Sequence, residues 1–226
     1  MVRGMKKFSS ERDFTNLKVL KLFEADRYTP DIQIPNSKNK LHAMQAVYMS
    51  ALRLFDIQGF EETTIAEIAS KSGLDQEVIY SYFPSKESIV ALPLGYLGRS
   101  LSSFVRTADP SLTPLEALGD GIIRLFEELS RSRNLYEALN LGYRVVNKTP
   151  SLRELNLARR SQLYIVAWKA LLQRGVDPDD QVLRAAASGI VACSLATMFS
   201  WLEANMSFDL VDLTKSAFSV LTYEFR

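Results

Sequence analysis

The chain has 226 residues, 47% of them hydrophobic and 23% charged, with 27 Lys and Arg against 26 Asp and Glu for a formal net charge of +1. Such a composition excludes wholesale disorder and leaves enough apolar side chains for one or two packed domains. One cysteine, Cys193, and one histidine, His42, exclude an intrachain disulfide and a Cys/His zinc site, which needs about four such ligands. A catalytic triad would have to run through His42, which has no nucleophile motif beside it. P-loop, dinucleotide-binding glycine, nucleophile-elbow and HExxH patterns are absent as well. The expectation is a protein that is not an enzyme and that carries no metal and no cofactor.

Residues 1–10 are basic but lack an apolar stretch, so they do not read as a signal peptide, and the expected location is the cytoplasm. Residues 1–37 read as an extension. Phe14, Leu17, Leu20 and Phe23 are spaced for a short amphipathic helix, and Pro30 and Pro35 bound a linker. Beyond it nearly every signal is helical, with helices expected at about 38–57, 64–71, 75–82, 86–107, 114–131, 134–147, 151–174, 178–204 and 209–223. Their starts are marked locally. Thr64-Ile65-Ala66-Glu67 and Thr113-Pro114-Leu115-Glu116 are capping boxes, in which threonine and glutamate satisfy each other's free backbone N–H groups. Thr149-Pro150 and Asp177-Pro178 repeat the cap-then-proline pattern, Gly175 suits the end of the helix between them, and Asp209 with Asp212 opens the last helix. Pro93, inside the fourth helix, is expected to kink it or end it early. Residues 185–202 carry no charge and approach the length of a membrane span. Their serines, glycine and alanines read as a buried helix instead, so no membrane is expected.

Three short helices in a row, two of them joined by Ser72-Gly73-Leu74, form a helix-turn-helix pattern, with the glycine supplying the conformation of the sharp turn. The residues match more than the generic pattern. Ala51-Leu52-Arg53-Leu54-Phe55, Gly59-Phe60, Thr63-Thr64, Ile68-Ala69, Gly73-Leu74, Tyr80, Tyr82-Phe83 and Ser85-Lys86-Glu87 occur in this order and spacing. Over residues 41–92 the chain resembles the DNA-binding domain of the TetR family of transcriptional regulators.

The resemblance implies an all-α fold with three parts: an arm at 1–37, a helix-turn-helix domain at 38–90 and a helical effector-binding and dimerisation domain at 91–226. It implies that residues 75–82 enter the major groove of double-stranded DNA, with Gln76, Glu77, Val78, Tyr80, Ser81 and Tyr82 facing it. Gln76 suits adenine, Glu77 suits a cytosine amino group, and the tyrosines suit phosphates or thymine methyl groups. Thr63 and Thr64, at the start of the preceding helix, are expected on a phosphate, and Lys86 on a second one outside the groove. For Phe83 packing in the core is expected; for Tyr82 core and groove stand open equally.

Charge is distributed unevenly: residues 1–40 hold nine basic and five acidic side chains, and residues 91–226 hold fifteen and fourteen. Residues 41–90 hold three basic ones (Arg53, Lys71, Lys86) against seven acidic. The segment 75–82 has no Lys or Arg and contains Asp75 and Glu77, which is unfavourable for binding a polyanion. Asp75 reads as an N-cap, and Met44 stands where the family usually has a basic residue. Arg3, Lys6, Lys7 and Arg12 would compensate as an arm along the DNA; the alternative is a tail without contacts.

In the second domain Ala185, Gly189, Ala192, Cys193 and Ala196 make a small-residue face. Leu210, Leu213, Ala217, Phe218 and Leu221 recur at helical spacing. The resemblance makes about 181–204 and 209–223 a homodimer interface built as a four-helix bundle. Effector walls are expected from Tyr96, Phe126, Tyr143, Tyr164 and Trp168, with Leu92, Phe104, Tyr136 and Leu139 beside them, suiting a hydrophobic small molecule. Thr149 to Arg153, Arg159-Arg160 and Trp201 resemble relatives responding to acyl-CoA-like ligands. Arg144, Arg153 and Arg160 are then candidates for phosphates or a carboxylate, against a solvated basic face. The function expected is a ligand-responsive repressor on a palindromic operator. The alternative is a relative that has lost specific DNA binding and works as a sensor or partner-binding scaffold.

Overall fold

The computed structural model describes residues 38–131, 133–205 and 207–223; the extension, with its expected short helix and basic arm, lies outside them. The described residues form nine helices and no strand: α1 Lys38–Gln58, α2 Ile65–Ser72, α3 Gln76–Tyr82, α4 Lys86–Arg106, α5 Pro114–Arg131, α6 Arg133–Lys148, α7 Pro150–Leu172, α8 Gln181–Glu203 and α9 Leu210–Tyr223.

α1 is helical because its apolar residues recur every three or four positions. Met44, Val47, Tyr48, Ala51, Leu52 and Phe55 are all buried along one stripe, and α2, α3 and α4 pack against it. Met44 is therefore a core residue. Gly73 ends α2 at φ +70°, a left-handed conformation that a side chain would strain, and its N–H closes on the carbonyl of Ala69. Ile68, Ile79 and Phe83 are wholly buried and join α2 and α3 to α1. Each such side chain contributes roughly 1.5–3 kcal/mol on leaving water.

α4 leaves the three-helix head and runs into the larger body, where it packs most extensively on α7 and α5. Ser85 and Ser88 form its capping box, at 3.3 Å from the Ser88 N–H and 3.2 Å from the Ser85 N–H. The helix continues through Pro93 and does not end early. Proline leaves the carbonyl of Ile89 without its helical donor; burial of Ile89, Leu92 and Leu97 on either side holds the helix together across the gap. Gly121 marks the crossing of α4 and α5. A Cβ there would meet Val105 Cγ2 at 2.9 Å and the Val105 nitrogen at 3.2 Å, so the two helices approach at a distance that a side chain would prevent.

The box at the start of α5 is present: Glu116 Oε2 accepts from the Thr113 N–H at 2.9 Å and its hydroxyl at 2.7 Å. At Asp177-Pro178 the expected helix start is displaced. Asp177 Oδ1 accepts from the Asp179 N–H at 2.9 Å and makes a local turn, while Asp180 caps α8 through the Leu183 N–H at 2.8 Å. Asp209 caps α9 through the Asp212 N–H at 2.9 Å.

The C-terminus of α4 is closed from a distance. The Arg174 guanidinium donates to the carbonyls of Val105, Ala108, Asp109 and Leu112, at 3.0 to 3.4 Å. Substitution Arg174→Met leaves these carbonyls without that donor. It is expected to lower the unfolding free energy by about 2 kcal/mol, read as a reduced urea midpoint at unchanged slope.

α8 is long and apolar enough to cross a membrane by length and composition, with a mean hydropathy of 1.6 over its best window. Its packing is that of a helix in a helical domain: it contacts α5, α6, α7 and α9. Its Thr197 hydroxyl also lies 3.0 Å from that of Thr214, where either can donate.

Candidate nucleic-acid interface and effector cavity

α2 opens at Thr64, whose hydroxyl accepts from the Glu67 N–H at 3.2 Å, while Glu67 Oε2 accepts from the Thr64 N–H at 2.8 Å and its hydroxyl at 2.9 Å. Gln58 Nε2 donates to the other carboxylate oxygen at 3.1 Å. These donors, the Thr64 backbone N–H first, hold the Glu67 carboxyl below the usual carboxylate range. The exposed helix start is thus in place, with Ile65 and Ala66 contributing the N–H groups that a phosphate would meet.

Two expected phosphate contacts are turned inward. Thr63 is buried, and its hydroxyl donates to the Gly59 carbonyl at 2.7 Å. Lys86 Nζ donates to the carbonyls of Phe60 at 2.7 Å, Thr63 at 2.9 Å and Glu61 at 3.2 Å, and lies 4.6 Å from the centre of the Phe60 ring. An ammonium has three protons, and all three are used on the loop between α1 and α2. Lys86 fastens the loop in which Thr63 and Thr64 stand and does not reach outward to DNA.

On α3 the exposed side chains are Gln76, Glu77, Tyr80 and Ser81, which share one stripe of the helix. Tyr80 retains 52% of its surface. Val78 and Tyr82 are half-buried, Tyr82 against the core, and Ser81 donates its hydroxyl proton to the Val78 carbonyl at 2.7 Å. Asp75 occupies the N-cap position, but its side chain accepts no capping bond.

The head meets the body along α6. Tyr48 donates to the Ala138 carbonyl at 3.3 Å, and Ser151, at the start of α7, donates to Glu61 at 2.9 Å. Between them the Asp56 carboxylate takes Arg144 on one oxygen and Lys148 on the other, each at 2.7 Å. Partial burial pushes the Asp56 carboxyl up, but the two cations outweigh it and hold it below its ordinary value. A carboxylate with a depressed folded-state pKa stabilises the fold above its ordinary pKa near 4 and loses that contribution as pH falls below it, so the Asp56 carboxylate stays ionised at neutral pH. Arg144 is thereby engaged with Asp56, Arg153 is exposed, and the side chain of Arg160 is not among those described.

The cavity in the body is lined by Leu97, Leu101, Ile122, Leu125, Phe126 and Leu163, with Val191, Ser194, Leu195 and Met198 from α8. Of the five expected wall residues Phe126 takes part. Tyr143 instead stacks on Phe199 at 5.6 Å and bonds Glu203, and Trp168 lies under Arg184 at 5.8 Å. Tyr164 is half-buried away from the lining, and the Tyr96 side chain is not among those described. Tyr143 and Trp168 find partners elsewhere, and apart from Phe126 the wall is left mainly to aliphatic side chains. The helical spacing of Leu97 with Leu101, and of Ile122 with Leu125 and Phe126, was the signal that could have found it. The cavity holds about 30 Å³, enough for a water or two. The hydroxyl of Ser194 is engaged on the Ile190 carbonyl at 2.6 Å.

On the outside of α8, Ala185, Gly189, Ala192 and Ala196 are exposed and Cys193 is half-buried, and only a third of its apolar window is covered. Val220 and Leu221 of α9 are exposed as well.

A helix-turn-helix head fixed to an all-helical body with an apolar cavity is the architecture of a ligand-binding DNA-binding regulator. Residues 49–92 match the family described as bacterial regulatory proteins of the tetR family, and residues 112–226 match the MftR C-terminal domain. The chain belongs to the TetR family of transcriptional regulators, a family of regulators rather than enzymes. It is similar to the HTH-type transcriptional regulator TcmR of Streptomyces glaucescens, 28% identical over 135 residues. That match spans 58% of this chain and 59% of TcmR, less than two thirds of its length. Among solved structures the fold is similar to the fatty acid degradation regulator FadR of Bacillus halodurans, with a TM-score of 0.55 at 18% identity over 81% of this chain and 96% of that one. It is similar also to SmeT of Stenotrophomonas maltophilia in complex with triclosan, with a TM-score of 0.52 at 18% identity over 77% and 90% of the chains.

Proposed function

We propose that this regulator is a homodimeric repressor that works in the cytoplasm and is released from a palindromic operator by a hydrophobic small molecule. In this reading residues 38–90 form the DNA-binding domain and residues 91–226 the effector and dimer domain, with residues 1–37 as the arm. The observation that carries it is the exposed stripe Gln76, Glu77, Tyr80 and Ser81 on α3, beside the capped start of α2 at Thr64. Gln76 and Glu77 would contact base edges, Tyr80 a phosphate or methyl group, and the α2 terminus a backbone phosphate. Half-buried Val78 and Tyr82 would support the stripe from behind. Faces of α8 and α9 would meet their copies across a two-fold axis, because small residues let helices approach closely. The ligand would enter among Leu97, Leu101, Phe126, Leu163 and Met198, whose apolar character suits a hydrocarbon chain. The cavity is small, so a ligand larger than water must part these helices, and it induces only if the parted form misplaces the heads.

A second reading has an observation of its own. With Lys86 and Thr63 turned inward, the head offers DNA few cations, as a sensor or scaffold without specific DNA binding would. Footprinting on the protein's own upstream DNA at two salt concentrations, with and without lauric acid as an apolar probe, separates the two. A protected palindrome at physiological salt is expected. An intact dimer that protects nothing would overturn the repressor reading.

A further inference from the structure

The head joins the body covalently through α4 alone, and α4 contains Pro93. One helical connection leaves the head free to swing or rotate about it, so a second attachment is needed to define where α3 points. α6 is placed to be that attachment. Its contacts with the head ascend together along both segments: Tyr48 with Ala138, Asp56 with Arg144 and Lys148, and Glu61 with Ser151 just beyond its end. The helices α1 and α6 therefore lie side by side in the same direction, with polar bonds at three levels. On its other side α6 grips the end of α8: Asn140 donates to the Leu202 carbonyl at 3.2 Å, and Tyr136 meets the Trp201 ring edge-on at 5.2 Å. α8 in turn lines the cavity.

We infer that Asp56, Arg144 and Lys148 are positioning residues that fix the angle of the reading head, α6 acting as a splint between α1 and the cavity-lining helix. The inference rests on the reading of α3 as the DNA-contacting helix. The level of Asp56 is the one to examine because both its cations come from the body. Asp56 is 20% exposed, against 52% for Arg144 and 60% for Lys148, so the carboxylate is a partly sheltered anchor and the cations are held at a solvated edge. Isolated surface pairs of this kind contribute little to stability. Two cations on one carboxylate restrict its orientation from two directions, so the effect belongs to geometry more than to folding. The arrangement is also open to salt, because ions screen such solvated charges.

The test measures the head angle without DNA. Spin labels at Ser81→Cys on α3 and Gln173→Cys at the end of α7 are placed in a Cys193→Ser background, both sites being exposed. Labelled protein is diluted with unlabelled protein so that only distances within one chain are read. A single narrow distribution is expected for the otherwise native chain, broadened at least two-fold by Asp56→Asn and by 1 M salt. Asp56→Glu, which retains the charge, is expected to keep it narrow. The double variant Arg144→Gln with Lys148→Gln removes the same pairs from the body side and decides the matter should Asp56→Asn not fold. An unchanged distribution in a folded, pair-less variant overturns the inference, as does an Asp56→Glu variant as broad as Asp56→Asn. Unlabelled native protein that protects no upstream DNA, with the distribution narrow, would count against the α3 reading instead.

Discussion

Arginine at Ala192 and Ala196 together is expected to give a folded monomer whose affinity for its upstream DNA falls by a factor of roughly 10² to 10⁴, the range lost when two linked half-site contacts become one. Both alanines are exposed on α8, so each subunit can accommodate the longer side chains toward solvent and keep its helical signal. Across a two-fold axis the same side chains would place four cations in a small apolar space. Sedimentation velocity gives the mass and circular dichroism the fold. A mass that stays at two chains would move the interface elsewhere on the body, and full DNA affinity from a monomer would remove the need for one.

The second large effect is expected at Lys86. Replacement by methionine retains the apolar stem but deletes the ammonium, and with it the three donors to the Phe60, Glu61 and Thr63 carbonyls and the charge over the Phe60 ring. Those carbonyls converge on the ammonium and cannot all turn to water without moving the loop. A cost of about 3 kcal/mol is expected from hydrogen bonds of a charged donor, measured by urea unfolding. DNA affinity should fall with the loop, because Thr64 and the start of α2 depend on it. A lysine that served only a phosphate would show the opposite pattern: weaker, less salt-dependent binding with stability unchanged.

Lys86 shows which features are legible in a linear sequence. Its position at the start of α4 is local information, carried by Ser85 and the periodicity that follows. The direction of its four-carbon stem is set by a loop 23 to 26 residues earlier, which no spacing rule contains. The boxes at Thr64 and Thr113 were legible because both partners lie within one turn. Asp177-Pro178 carried the same mark and misled by three residues, since Asp180 competes for the role and Asp177 prefers its own turn. The small-residue stripe on α8 was legible as a face of one helix. The cavity wall was not, because it is assembled where α4, α5, α7 and α8 converge, and of the aromatic residues that suggested a pocket Phe126 joins it while Tyr143 and Trp168 find partners elsewhere.

The exposed stripe of α3 carries a carboxylate and no Lys or Arg, which bears on how the molecule would find its site. Attraction to random sequence comes almost wholly from counterions displaced by cationic side chains. A head that displaces few of them is held only briefly at each wrong position. Among the ~10⁶ to 10⁹ competing sites of a genome, bulk DNA would therefore sequester a small share of the population through this surface. On the proposed reading, operator occupancy would then follow the free concentration closely, and a dimer that had let go would return to solution instead of lingering on the neighbouring duplex. Few copies per cell would suffice for such a switch, and its off state would be reached without a slow search along the chromosome.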